Sequence, residues 1–228
     1  MSKDNLYAHL AASGVANLNP YVPGKPVSEL ERELGITDSV KLASNENPLG
    51  CSPMAISAIN GELGEVARYP DGGGFELRAA LAQKHGVDAK CITLGNGSND
   101  VLDMIARVFL GPGRESLFSQ HAFAVYPISS QAVGADLKIA PARDYGHDLG
   151  AMAGLISDRT GVIWIANPNN PTGNWLGSGE LRAFIAAVPE NVIVVVDEAY
   201  IEYVAEDDYP DASTWLQDFP NMIVTRTF

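Results

Sequence analysis

Residues 162–173 read Val-Ile-Trp-Ile-Ala-Asn-Pro-Asn-Asn-Pro-Thr-Gly. The apolar first five lack polar alternation, which predicts a strand over 162–166 covered on both faces. The polar run behind it carries two prolines and cannot continue that strand. A second stretch has the same form: the β-branched run 192–196 gives way to Asp197-Glu198-Ala199-Tyr200. In an open α/β sheet, loops at the carboxyl ends of such strands are placed to meet a ligand.

Working outward, shorter apolar runs at 91–94, 116–119, 137–140 and 222–225 predict further strands. Between them, helical patterns fit 52–63, 74–85, 98–109, 122–133, 148–157 and 178–188. The alternation predicts an α/β domain with a mainly parallel sheet and right-handed crossovers. Residues 1–50 differ. Pro20, Pro23 and Pro26 keep the chain extended, and a short helix fits 28–34, with Ser28 as N-cap, Glu31 closing a capping box and Gly35 as stop. Residues 41–50 then read as a brief strand breaking into a polar loop. The expected organisation is therefore an arm with part of a small domain over 1–50, and a large domain over 51–228.

Composition narrows the function classes. Among 228 residues, 15 Lys and Arg stand against 28 Asp and Glu, so 15 − 28 gives a net charge of −13. Nucleic-acid binding needs surplus cations, so that class is set aside. With 46% hydrophobic and 19% charged residues the chain is globular in type. No apolar run reaches membrane-spanning length, and residues 1–5 show no leader, so a cytoplasmic protein is expected. Cys51 and Cys91 make neither a disulfide framework nor a zinc set. His9, His85, His121 and His147 have no ligand spacing, so no metal is assigned. A serine hydrolase lacks its Gly-x-Ser-x-Gly elbow.

The chemistry-bearing candidates lie near the strand ends. Gly95-Asn96-Gly97-Ser98-Asn99-Asp100 opens a helix, where backbone N–H groups and the Ser98 hydroxyl suit a phosphate. An ordinary turn capped by Ser98 explains the same residues. In 167–173, an amide such as Asn170 is held by two flanking prolines to donate to an anionic oxygen; a plain turn is the alternative. Asp197, partly buried at a strand end, needs a cationic partner, and a protonated heterocyclic nitrogen would serve at about 1.5–3 kcal/mol. A helix cap or a magnesium ligand are its other readings. Phe123 and Tyr126 suit either stacking on a planar ligand or packing in the core. The loop 68–74 reads, in isolation, as a glycine turn.

Taken in order, Asn-Glu-Asn-Pro at 45–48, Arg-Tyr-Pro at 68–70, Gly-x-Gly-Ser at 95–98, the loop 167–173 and Asp-Glu-Ala-Tyr at 197–200 resemble one family. It is the fold-type I, pyridoxal-phosphate-dependent aminotransferases, and within them the histidinol-phosphate aminotransferases. The resemblance implies a three-layer aminotransferase-like large domain, truncated here, plus an N-terminal arm contributing to a small domain. It implies pyridoxal 5'-phosphate as cofactor, with Ser98 and Asn99 at its phosphate, Phe123 stacked on its ring, Asn170 and Tyr200 at its phenolic oxygen and Asp197 at its pyridinium nitrogen. Tyr69 would reach the cofactor of the other subunit of a homodimer, and Tyr21 and Asn45 would lie near the substrate. The family places Ser-Lys straight after Arg226-Thr227-Phe228, and that lysine forms the Schiff base. No catalytic residue is therefore assigned within these 228 residues, and Lys3, Lys25, Lys41, Lys84, Lys90 and Lys138 have no case as substitutes. The implied reaction of the intact enzyme moves an amino group between L-histidinol phosphate and 2-oxoglutarate, with glutamate as the other product pair member, in histidine biosynthesis. The chain itself is expected to be an inactive N-terminal portion. An aromatic amino-acid aminotransferase, a phospho-amino-acid decarboxylase and a non-catalytic remnant of the fold are the alternatives.

Overall fold

The computed structural model describes residues 10–21 and 24–228. Residues 1–9, with Lys3 and His9 among them, lie outside the described residues, as do Val22 and Pro23 of the proline-rich arm. Contacts divide the chain into two units, one formed by residues 10–20 with Arg78–Phe228, the other by Tyr21–Leu77.

In the first unit, β1 (Glu115–Ser119), β2 (Asp136–Ala140), β3 (Thr160–Ala166), β4 (Ile193–Asp197) and β5 (Met222–Thr225) make one sheet, ordered β2-β1-β3-β4-β5. Every pairing is parallel. The unbroken apolar runs have the cause expected of them, because both faces are covered. Val162, Trp164, Ala166 and Val195 pack on one side with Leu102 and Ile105 of α5 (Ser98–Phe109) and Val125 and Tyr126 of α6 (Val125–Ala132). Ile163, Ile165, Val194 and Val196 pack on the other with Met152 of α7 (Leu149–Gly154) and Leu181, Phe184 and Ile185 of α8 (Ser178–Ala187). This is the three-layer α/β arrangement. Opposite directions of travel along the sheet put the crossover helices on opposite faces: α6 links β1 to β2, whereas α7 and α8 lead from β2 through β3 to β4. The reversal lies between β1 and β3.

Five local expectations are corrected. Residues 91–94 form no strand: a 3-10 turn, Ala89–Cys91, leads into an extended segment without a ladder partner among the described residues. Four apolar residues become a strand only when a neighbour takes their hydrogen bonds. Residues 41–44 likewise join no sheet, and the backbone turns at Ser44 (φ 73°) and Asn45 (φ 53°). Pro26, not Ser28, caps α2 (Val27–Leu34), and Glu31 accepts from the Ser39 hydroxyl at 3.1 Å instead of closing a capping box. Gly97, not Ser98, is the N-cap of α5. The helical stop at Gly35 stands, with φ 67°. The helix foreseen over 122–133 begins only at Val125, which puts Pro127 in its first turn, where the missing N–H costs nothing.

The second unit holds α2, α3 (Pro53–Glu62) and the start of α4 (Phe75–His85). No helix among the described residues is long and apolar enough to cross a membrane.

Candidate active site

The order β2-β1-β3-β4-β5 fixes where a ligand can enter. Where neighbouring crossovers diverge, between β1 and β3, the loops at the carboxyl ends part and leave a crevice. The loop after β1 carries His121 and Phe123; the loop after β3 is 167–173; β4, one strand further, ends on Asp197.

Asp197 is 4% exposed. Tyr126 Oη donates to its Oδ2 at 2.7 Å, and the Ala199 N–H approaches Oδ1 at 3.3 Å. No cationic side chain among the described residues pairs with it. Burial pushes the carboxyl above its ordinary value, while the Tyr126 and Thr225 hydroxyls and the Ala199 amide hold it back. Tyr126 is itself fully buried. That burial, with Asp197 beside it, pushes its phenol well above the ordinary range, so it stays protonated and donates. A buried carboxylate held by neutral donors alone is an acceptor in search of a cation.

The loop after β3 is built rather than slack. Asn167 Nδ2 donates to the Leu176 carbonyl at 3.2 Å, its Oδ1 accepts from Leu176 N at 2.8 Å, and its carbonyl accepts from the Tyr209 hydroxyl. Asn169 Nδ2 donates to the His121 carbonyl at 2.9 Å and to Thr172 Oγ1 at 2.8 Å, tying this loop to the one after β1. Its Oδ1 is buried without a partner among the described residues, as is Ser119 Oγ at the end of β1. Asn170 is half-buried, and its amide makes no hydrogen bond with a described residue. His147 donates from Nε2 to the Ala166 carbonyl at 2.8 Å; burial lowers its basicity and keeps it neutral.

At the start of α5, Gly97 (φ 77°) turns the chain into the helix, and Asp100 Oδ2 accepts from both Asn96 N–H groups, backbone at 2.9 Å and side chain at 3.0 Å. The first backbone N–H groups, those of Ser98 and Asn99, take no acceptor among the described residues, as helix starts leave them. A Cβ on Gly95 would lie 2.9 Å from Asp100 Cβ, so this bend admits only glycine without a shift.

Contacts therefore bring together Phe123, Tyr126 and Asp197, since Phe123 meets Tyr126 edge-on at 5.8 Å between ring centroids. They bring the loop 167–173 to the same place through His121. Tyr200 follows Asp197 closely, its ring 6.3 Å from that of Tyr203. Tyr21, Asn45 and Tyr69 belong to the other unit, where Tyr69 is fully exposed. Sequence reasoning missed the tie from Tyr126 to Asp197, which spans 71 residues and has no spacing signature. It also gave no role to Glu198, which is wholly buried. There Oε2 accepts from Arg226 Nη2 at 2.6 Å and Nε at 3.0 Å, and Oε1 from Ala212 N at 2.8 Å.

Residues 37–228 match the family described as aminotransferase class I and II. The chain is 58% identical over 221 residues to histidinol-phosphate aminotransferase 2 of Pseudomonas fluorescens, covering 96% of this chain and 60% of that protein. It is 56% identical to histidinol-phosphate aminotransferase 1 of Nitrosococcus oceani, over 99% of this chain and 61% of the relative. The chain thus spans about 60% of the length of these curated relatives. Its fold superposes with a TM-score of 0.83 on histidinol-phosphate aminotransferase from Sinorhizobium meliloti, a structure in complex with pyridoxal-5'-phosphate. Identity there is 29%, with coverage of 91% of this chain and 56% of the other.

Proposed function

Since the chain belongs to the aminotransferase class I and II family, we propose that it is the cofactor-binding portion of an enzyme that moves an amino group between L-histidinol phosphate and 2-oxoglutarate in histidine biosynthesis. The observation that carries this reading is Asp197: a buried carboxylate beside the sheet's switch point, held only by neutral donors. The donor set fits pyridoxal 5'-phosphate. Asp197 takes the ring nitrogen, Asn170 the phenolic oxygen with Tyr200 beside it, Phe123 a ring face, and the N–H groups of Ser98 and Asn99 the phosphate. Bound there, the cofactor supplies an electron-withdrawing ring that stabilises the carbanion left when an amino acid loses its α-proton.

The chain's own residues act by charge and position. The Asp197 carboxylate would keep the proton on the ring nitrogen, because an ionised carboxylate in a buried site favours the protonated neighbour. Gly95 and Gly97 let the backbone approach the phosphate closely. Phe123 covers the ring and excludes water from that face. The proton transfer at the substrate falls to a lysine following Phe228. In the same reading, residues 1–50 form the arm and part of a small domain and 51–228 the large one. Tyr21 and Asn45 line the substrate, Tyr69 reaches the neighbouring subunit of a homodimer, and the enzyme works in the cytoplasm.

The test is amino transfer by the full-length protein. With pyridoxal 5'-phosphate and 2-oxoglutarate it should turn over histidinol phosphate at least tenfold faster, in kcat/KM, than phenylalanine. Asp197→Asn should lose about 100-fold or more, as removal of a charge-assisted contact to the reacting system does. Preference for phenylalanine would sink the substrate assignment, and full activity of Asp197→Asn would sink the cofactor assignment.

A further inference from the structure

Behind Asp197 stands a set of side chains that the proposed chemistry does not use. Tyr126, at 0% exposure, stacks on Trp164 with ring centroids 5.2 Å apart and planes within 10°. Trp164, also wholly buried, donates from Nε1 to Ser116 Oγ at 2.8 Å, and Ser116 Oγ lies 2.7 Å from Ser130 Oγ. The edge of Tyr126 is closed by Phe123. The phenol is thus fixed by β1, β3 and α6 together, and its one hydrogen bond among the described residues runs to β4. From this geometry we infer that Tyr126 is a positioning residue: its hydroxyl aims and holds the Asp197 carboxylate so that a cationic ring nitrogen meets a pre-oriented partner.

Three observations separate this from plain packing. A buried core needing only volume is served as well by Phe, whose apolar edge demands nothing of its neighbours. Here a fully buried hydroxyl is spent on one carboxylate oxygen, and the indole on which its ring stacks is itself held by buried hydrogen bonds through Ser116 to Ser130. Of the other neighbours, the Ala199 N–H is long at 3.3 Å and the Thr225 hydroxyl, although it also steadies the carboxylate, makes no bond of normal geometry, so Tyr126 supplies the well-formed one. Finally, a carboxylate whose orientation is already fixed loses no rotamer freedom when the ligand arrives, which is where preorganisation gains affinity.

The inference rests on Asp197 being the partner of the cofactor nitrogen, and its test keeps the two apart. In the full-length protein, wild type, Tyr126→Phe and Asp197→Asn are titrated by equilibrium dialysis with pyridoxal 5'-phosphate and with its 1-deaza analogue, whose ring carries C–H in place of nitrogen. Tyr126→Phe should bind the cofactor about tenfold more weakly than wild type, the loss of one charge-assisted hydrogen bond. It should bind the deaza analogue as wild type does. An equal loss for both ligands, or no loss for either, overturns the inference. If wild type and Asp197→Asn bind the cofactor equally, the reading of Asp197 itself falls, and the inference with it. Should Tyr126→Phe unfold before titration, 3-fluorotyrosine at position 126 decides the matter. Its more acidic phenol is a stronger donor, so tighter cofactor binding with the analogue unchanged supports the role, and any other pattern overturns it.

Discussion

A carboxylate that burial pushes up weakens the fold it sits in, and Asp197 shows how this acts at a single residue. Its folded value lies above the ordinary 3.8, so the native state binds a proton more readily than the unfolded chain. By linkage, its stability contribution is complete below about pH 3.8 and is lost as pH rises through the raised value. Without cofactor, Asp197→Asn should therefore melt at a higher temperature than wild type at pH 7, with the gap closing toward pH 4. Scanning calorimetry checks this, and a lower melting temperature at pH 7 would contradict it. Asp197 was legible because it ends the most apolar run in the sequence, so its burial follows from the strand before it. The positions of Phe123 and Asn170 just past strands were legible in the same way. The inward role of Asn169 was not: two adjacent asparagines look alike until the His121 carbonyl, 48 residues away, accepts from one of them.

At the scale of elements, five of the seven foreseen strands formed, because in each the run found parallel neighbours to complete its ladder. The other two, 91–94 and the start of 41–50, find no neighbour among the described residues, and hydrogen-bond partners are a property of the sheet, not of the run. Helix ends moved for local reasons, such as Gly97 in place of Ser98 at the start of α5. That start offers a direct check. In Gly95→Ala the new methyl would press on Asp100 Cβ at 2.9 Å and Val101 Cγ2 at 3.1 Å. The cost expected is about 1–3 kcal/mol in urea unfolding, as for overpacked sites. If the proposed phosphate site is right, pyridoxal 5'-phosphate should lose more affinity than unphosphorylated pyridoxal, because the strained bend is the one proposed to hold the phosphate. Equal losses would place the phosphate elsewhere.

Across the whole molecule, charge pairing holds distant parts of the first unit. Arg226, just past β5, reaches Glu198 after β4, Asp211 Oδ1 at 2.6 Å and His85 Nδ1 at 3.0 Å at the end of α4. Burial pushes the Glu198 carboxyl up, while the Ala212 amide and the Arg226 guanidinium hold it back. Arg226→Met leaves that carboxylate buried and unpaired, so about 3–5 kcal/mol of stability should go, and adding Glu198→Gln should restore most of it. Additive losses in denaturant titrations would show the pair to be uncoupled. Glu198 and Arg226 stand 28 residues apart, and only the parallel pairing of β4 with β5 makes them neighbours. The same sheet sets a clock. All seven residues of β3 are buried, and it lies at the centre of the strand order with a neighbour on each side. Its amides can exchange with solvent only when the unit opens as a whole. The loop 167–173 is the direct continuation of that strand, so the crevice is anchored to the longest-lived part of the molecule. Its shape persists from one global opening to the next, and a ligand arriving between those events finds it already made.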